Sequence, residues 1–345
     1  MILQITINWR FIVGIDISKL ILDIYLFDRQ SGDGNSCQVP NTTEGFRQLA
    51  GWLEDHKASK SQTKFISEHT GRYGEQLLRW TTDNNWPHAV VKTTALEKVS
   101  WEHHRKTDEF DANQLAEYGD RFSDRLPLTE APRPVVGQLK RLQAERRKMV
   151  DRRAALKNKL GEAEIHDADM EVLTGMWNQQ MDVLTKHIDQ IENRIRQLIT
   201  TDPALSQRHQ TMRSAPGMGP VLGSLWLSLF AGQKSLGGRK ISSRFGFAPH
   251  PHRSGSSVRG SERSTGFGNS EVRKVMHQAA LSVKTHCPHY QHYYQEKRKE
   301  GKEHLLVINN IINKLIQLYC AMWNNREEYD PNHIKKMDKK YKKSA

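Results

Sequence analysis

Between Leu139 and Leu198, side chains recur at alternating intervals of three and four, a period that a helix turns to one side. The first run is Leu139, Leu142, Arg146, Met149, Arg153, Leu156, Leu160 and Ala163, interrupted by its two arginines. The second is Trp177, Met181, Leu184, Ile188, Ile191, Ile195 and Leu198, apolar throughout. Such spacing predicts a coiled coil. The stretch 164–175, with Asp167, Asp169 and Gly175, separates the runs and suits the bend of an antiparallel hairpin. Each arm would be roughly 35 Å long at 1.5 Å per residue. The seams face either each other within one chain or a second copy. A helical spacer in the middle of 345 residues leaves a separate body on each side, which is also what chain length predicts.

The first body reads as alternating strands and helices. Residues 11–27, FIVGIDISKLILDIYLF, are two strands around a short turn. A helix is expected over 43–57, a strand at Phe65 to Glu68, and a helix through Leu77, Leu78 and Trp80. A strand follows at His88 to Lys92 and a helix over 108–122. Strands interleaved with helices predict an α/β layer fold. Pro127, Pro132 and Pro134 read as a linker. Beyond residue 211 the chain turns mostly helical, over 212–230, 271–286 and 303–323, around a Gly-, Ser- and Arg-rich stretch at 236–270. The boundaries expected are 1–130, 131–205, 206–328 and a basic, disordered tail over 329–345.

Charge is divided unevenly along the chain. The formal net charge is +13. Residues 1–124 carry 14 Lys and Arg against 18 Asp and Glu, whereas 234–300 carry 13 against 4. A basic segment suits a polyanion, because phosphate contacts release counterions, although a solvated basic surface has the same composition. Cysteine is limited to Cys37, Cys287 and Cys320, with no CxxC pair, which argues against a zinc site or a disulfide framework. No apolar run reads as a membrane span and no secretory leader is recognised, so a cytoplasmic protein is expected.

Two residue sets carry candidate chemistry. Asp16 and Glu68 each end an apolar strand, and Asp108 and Asp111 share a face at a helix start. Oxygen ligands of this kind suit Mg²⁺, or Mn²⁺ in its place, and a pair of such ions can clamp both oxygens of a phosphodiester under attack. Taken singly, each acid is also a plausible solvated charge, and Asp108 an N-cap. The second set is Arg253-Ser254-Gly255-Ser256-Ser257-Val258-Arg259-Gly260, with Arg239, Lys240, Arg244 and Arg263 nearby. A serine there is either a nucleophile toward phosphate or part of a loop that grips phosphates. Between the sets, Pro216-Gly217-Met218-Gly219 reads as the turn of a helix–hairpin–helix, whose glycines and free amides suit a phosphate, or as a plain helix–helix turn.

Gly14-Ile15-Asp16-Ile17-Ser18-Lys19, Glu68-His69-Thr70-Gly71 and Lys106-Thr107-Asp108-Glu109-Phe110-Asp111-Ala112 resemble the DEDD-type transposases of the insertion-sequence 110 family. Phe245-Gly246-Phe247-Ala248-Pro249, the serine loop, Gly268-Asn269 and Arg273 resemble the C-terminal half of that family. His69 departs from the alanine usual at its position. The likeness runs from about residue 11 to 325. It implies a RuvC-like ribonuclease-H fold with Asp16, Glu68, Asp108 and Asp111 as metal ligands. It also implies Ser254 as the nucleophile, with Ser256, Ser257 and Arg273 among the phosphate ligands. Donor and target double-stranded DNA, a structured noncoding guide RNA, and a homodimer or homotetramer whose carboxylates and serine meet across subunits are the partners it implies. A RuvC-type nuclease or junction resolvase would share the acids but use water as nucleophile. An actin-like ATPase shares the Gly-Ile-Asp strand end but needs a second phosphate loop, which this chain lacks. A nucleic-acid-binding protein without activity is the remaining rival.

Overall fold

The computed structural model describes residues 9–96, 108–161, 168–254, 258–264 and 266–331. Ser256, Ser257, Lys106, Thr107 and the tail beyond Pro331 fall outside this set. At Asp108, Arg253, Ser254, Arg259 and Arg263 only the backbone is described. The chain divides into two compact units, residues 1–131 and 132–345.

The first unit opens with β1 (Phe11–Ile17), β2 (Ile21–Asp28) and β3 (Gly34–Pro40), an antiparallel meander. Then come α1 (Thr43–Asp55), β4 (Thr63–Glu68), α2 (Glu75–Asp83), β5 (His88–Val91), α3 (Thr93–Leu96) and α4 (Asp108–Arg121). The sheet order is β3-β2-β1-β4-β5, with β1, β4 and β5 parallel. β3 was not foreseen: Gly34-Asn35-Ser36-Cys37-Gln38 is polar and mostly solvent-facing, as an edge strand can be.

Period-2 alternation gives each sheet face its own core. Val13, Ile15, Leu22, Ile24 and Phe65 pack with Phe46, Leu49 and Leu53 of α1 and Leu77 of α2. Ile12, Ile66, Ala89 and Val91 pack with Leu115 and Ala116 of α4 on the other side. Thr42 caps α1, its hydroxyl accepting from the Gly45 amide at 3.2 Å. The expected linker is partly fixed to this unit. The Thr129 amide donates to the His88 carbonyl at 2.6 Å, and that of Ala131 to Thr82 Oγ1 at 2.8 Å.

The second unit holds α5 (Pro134–Gly161), α6 (Ala168–Thr201), α7 (Pro203–Arg213), α8 (Pro220–Phe230) and α9 (Gly238–Arg244). A two-stranded hairpin, β6 (Pro249–Ser254) and β7 (Val258–Ser264), precedes α10 (Ser270–His286), α11 (Pro288–Lys299) and α12 (His304–Asn325). α5 and α6 pair antiparallel. Arg146, which broke the first seam, reaches Glu192 at 2.7 Å, and Arg153 donates to Thr185 at 3.3 Å. Those arginines therefore stay in the seam because polar partners face them from α6. The pair is not a free-standing spacer: Leu139, Ile195, Leu198 and Ile199 belong to the main core of this unit, and Gln143 donates to Ser224 of α8 at 2.9 Å.

That core is centred on α12. Val307, Ile308, Ile311, Leu315, Ile316, Tyr319 and Trp323 are buried in it, α12 packing on α10, α9, α11 and α7 while Tyr319 meets Trp226 of α8 edge-on. The expectation that no apolar segment reaches membrane-span length is corrected here. α12 has 22 residues, and an 18-residue stretch within it averages 1.4 in hydropathy, long and apolar enough by length and composition, although half of that stretch is buried in the core. The tail boundary also moves, because Tyr329 packs on this core and its amide donates to Ser214 Oγ at 2.9 Å.

Candidate active site

The carboxylates at the strand ends are placed by backbone packing. β1 and β4 run parallel with Ile15 opposite Ser67, so the next residues, Asp16, one before the end of β1, and Glu68, the last of β4, lie side by side on adjacent strands. Alternation puts Asp16 on the face of Ile12 and Gly14, and Glu68 on the face of Ile66, which is the face covered by α4. Gly14 decides how close α4 comes. A Cβ there would lie 2.0 Å from the Ala112 carbonyl oxygen and 2.4 Å from the Ala116 nitrogen. The helix backbone thus rests on the strand, as only glycine permits.

The direction of α4 follows from the same contacts. Ala112 lies over Gly14, while Gly119 meets Ile12 and Ile66. The helix therefore runs antiparallel to β1, and its N-terminal turn reaches the strand ends that carry Asp16 and Glu68. Asp108 is one turn before Ala112 and Asp111 one turn before Leu115, on the stripe that meets the sheet. The carboxyl ends of parallel strands are the usual place for a ligand in open α/β sheets. The α4 N-terminus also favours negative charge there.

Local contacts hold the edge. Asp16 Oδ1 accepts from the Ile17 amide at 2.9 Å, and Thr93 Oγ1 donates to Glu68 Oε1. One acid was missed by sequence reasoning. Asp23 of β2 stands opposite Asp16 in the antiparallel register, and its carboxylate accepts from Gln38 Nε2 at 2.8 Å. Its only signal in the sequence was its place within a strand, and the register alone sets it opposite Asp16. Every donor in the set is an oxygen, as a hard divalent cation requires. Among the described residues no three His, Cys, Asp or Glu side chains are gathered closely enough to hold one ion.

Two buried polar groups brace the scaffold. Lys64 of β4 is 2% exposed and donates to the Ser123 and Leu126 carbonyls, at 2.9 and 2.8 Å, just beyond the C-terminus of α4. Burial lowers its pKa, with the nearby Asp124 opposing the shift. His88 of β5 bridges Ser67 at 2.8 Å and Thr81 at 3.0 Å, and burial pushes its imidazole down to about 3. A neutral ring can satisfy both hydroxyls with one donor and one acceptor nitrogen.

In the second unit, Ser254 is the last residue of β6 and pairs with Val258 in the hairpin register, with Arg253 opposite Arg259. The loop expected at Arg253–Gly260 is thus framed by paired strands, and His250 stands opposite Arg263 nearer the base. The base is fixed by the chain before it. Gly246, at φ +69°, leaves a Cβ only 2.1 Å from the Phe267 carbonyl oxygen, so glycine is required at this crossing. Asn309 and Asn313 of α12 both donate to the Phe247 carbonyl, at 3.0 and 3.1 Å.

The expected phosphate contacts separate into two kinds. Arg239, Lys240 and Arg244 lie on the exposed side of α9, whose Ile241 and Ser242 are buried. Arg273 instead donates to the Phe245 and Gly246 carbonyls, at 3.1 and 3.0 Å, and lies 5.1 Å over the Phe247 ring. Gly217, at φ +75°, faces Val283, Ala279 and Tyr319, and Tyr319 Oη donates to the Pro216 carbonyl at 2.8 Å. That turn between α7 and α8 is set into the core. Gly219, the N-cap of α8, faces open space.

An acidic edge on an α/β sheet and a basic serine-bearing hairpin on a helical core belong here to a transposase, an enzyme of DNA recombination. Residues 13–163 match a transposase model of the DEDD IS110 type, and residues 209–295 match the transposase IS116/IS110/IS902 family. The chain belongs to the IS110 family of transposases. It is 26% identical over 329 residues to the pilin gene-inverting protein of Moraxella bovis, spanning 92% of this chain and 97% of the relative. The pilin gene-inverting protein of Moraxella lacunata matches to the same extent.

Proposed function

We propose that this transposase cuts and rejoins DNA by moving strands onto and off Ser254, assisted by divalent metal at Asp16, Glu68, Asp108 and Asp111. The observation that carries the reading is the Gly14–α4 contact. It brings a helix start bearing two aspartates to the strand ends that carry Asp16 and Glu68. The strand order β3-β2-β1-β4-β5 with α4 on one face supports a RuvC-like ribonuclease-H fold for the first unit.

Bound Mg²⁺ or Mn²⁺ would supply Lewis-acid polarisation of the phosphate. In the transfer step, Ser254 Oγ attacks phosphorus. The Oγ–P bond forms as the P–O3′ bond breaks, serine gives up its proton, and the departing 3′ oxygen takes one up. The phosphoserine ester conserves the energy of the broken bond, so a second 3′-hydroxyl can reverse the step on a new strand without a nucleotide cofactor. Arg253 and Arg259, neighbours of Ser254 in the hairpin register, supply cationic groups for the charge that builds on phosphate. Exposed Arg239, Lys240 and Arg244 hold the backbone of the DNA. A structured noncoding RNA selects donor and target, and the active form is a homodimer or homotetramer. The net charge of +13 and the lack of a sequence-reading module such as a zinc finger agree with that division of labour.

The test is cleavage of a labelled DNA–RNA complex with Mg²⁺, resolved on a denaturing gel. Wild type is expected to give a protein-linked DNA band that Ser254→Ala abolishes. Asp16→Ala is expected to lose cleavage while keeping DNA binding. Free ends from both wild type and Ser254→Ala would mean that water attacks, and a RuvC-type nuclease would replace the proposal.

A further inference from the structure

Away from the hairpin, the second unit contains a cavity of about 440 Å³ between α7, the end of α12 and the start of α5. Its lining includes Arg133, Gln207, Arg208, Thr211, Trp323 and Arg326. The volume is within the ordinary range of ligand sites. Three guanidinium groups line it and no carboxylate does.

The three arginines are held differently. Arg208 lies 4.2 Å over the Trp323 ring and donates to the Trp323 carbonyl at 2.8 Å, which fixes its plane. Arg133 is tied at 2.8 Å to Asp202, whose other carboxylate oxygen caps α7 by accepting from the Leu205 amide at 2.9 Å. Arg326 is exposed and takes the left-handed conformation, φ 59°, at the end of α12. Among the described residues neither Arg208 nor Arg326 forms an ion pair. Burial and the charge of Arg326 both lower the Arg208 pKa, so the two cations oppose each other across the cavity. Like charges brought together at a half-buried site are unfavourable until an anion lies between them. Planar guanidinium forks match phosphate oxygens bidentately.

We infer that this cavity binds a backbone phosphate of nucleic acid, giving the second unit a strand contact separate from the serine hairpin. A polymer fits better than a free nucleotide because two of the three arginines, Arg133 and Arg326, are exposed at the rim. The inference rests on the recombinase reading only for the identity of the polymer, and it does not depend on serine chemistry.

The experiment is fluorescence anisotropy of a fluorescein-labelled DNA duplex with the full chain, without divalent metal, across a salt series. Arg326→Gln is expected to weaken binding roughly tenfold at low salt, the worth of one charge-assisted contact, and to lower the salt slope by about 1. Arg208→Gln is expected to do the same, with melting curves checking that loss of the Trp323 contact has not unfolded it. Glu327→Gln, beside the cavity but not lining it, should not weaken binding. Unchanged affinity and slope in Arg326→Gln would overturn the inference. Titration with AMP and inorganic phosphate separates the sources. Saturable AMP binding lost in Arg326→Gln, with duplex binding unaltered, would mean a free-nucleotide site and overturn the polymer assignment. Because no cleavage is measured, a failed serine-linkage assay leaves this result standing.

Discussion

The acidic edge of the first unit and the basic hairpin of the second are positioned by opposite means. The acids lie at the ends of regular elements, and their spacing is set by backbone against backbone, α4 on Gly14. The serine lies at the tip of a two-stranded hairpin, and what is rigid is the hairpin's base, held through Gly246, Arg273, Asn309 and Asn313. A site on packed strands and helices is preorganised, whereas a site on a projecting hairpin can adapt to its substrate. The two halves should therefore fail differently when disturbed.

The largest effect expected is from Gly14→Val. The new side chain collides with the backbone of α4, so the helix start and its aspartates must shift. Cleavage should fall to background, and the overpacking should cost about 1–3 kcal/mol of stability. Duplex binding by the second unit should persist in the same anisotropy assay. Full cleavage by this variant would show that the close approach of α4 does not set the acids.

Lys64→Met comes next. It leaves the Ser123 and Leu126 carbonyls without their buried donor, and about 2–3 kcal/mol of stability should be lost from the first unit. Denaturant melts followed by tryptophan fluorescence check this. A variant as stable as wild type would mean that packing alone holds the far end of α4.

Acid should also act on the first unit through His88. Its imidazole titrates near 6.5 when unfolded but is held down to about 3 when folded, because burial disfavours the charged ring. The unfolded chain therefore binds more protons between these values. The stability this gives is complete above pH 6.5 and declines as pH falls toward 3, by at most about 1.4 kcal/mol per pH unit. Thermal melts of wild type and His88→Gln should show a shallower acid slope in the variant. Parallel slopes would remove His88 as the cause.

The smallest effect distinguishes the two kinds of arginine in the second unit. Arg239→Gln should weaken duplex binding a few-fold and leave melting unchanged, since one exposed phosphate contact is lost. Arg273→Gln should lower the melting temperature, because the Phe245 and Gly246 carbonyls lose a shared donor. If both variants change only binding, the hairpin base is not held as the contacts suggest.

Much of this molecule is legible in its sequence. Short apolar runs, partly alternating over 11–27, marked β1, β2, β4 and β5, and the three–four spacing marked α5 and α6, because strand and helix patterns are local properties of the chain. The order of Asp16, Glu68, Asp108 and Asp111 was also visible, each beside a strand end or a helix start. Tertiary structure decided what depends on register and approach. It put Asp23 opposite Asp16, laid α4 on Gly14, and buried Lys64 and His88 as braces that the sequence presents as ordinary polar residues. It also fixed Arg273 to the backbone and left Arg208 and Arg326 facing a cavity. Composition cannot separate those arginines, since a guanidinium is structural or available only according to which carbonyls, rings and charges the fold brings to it.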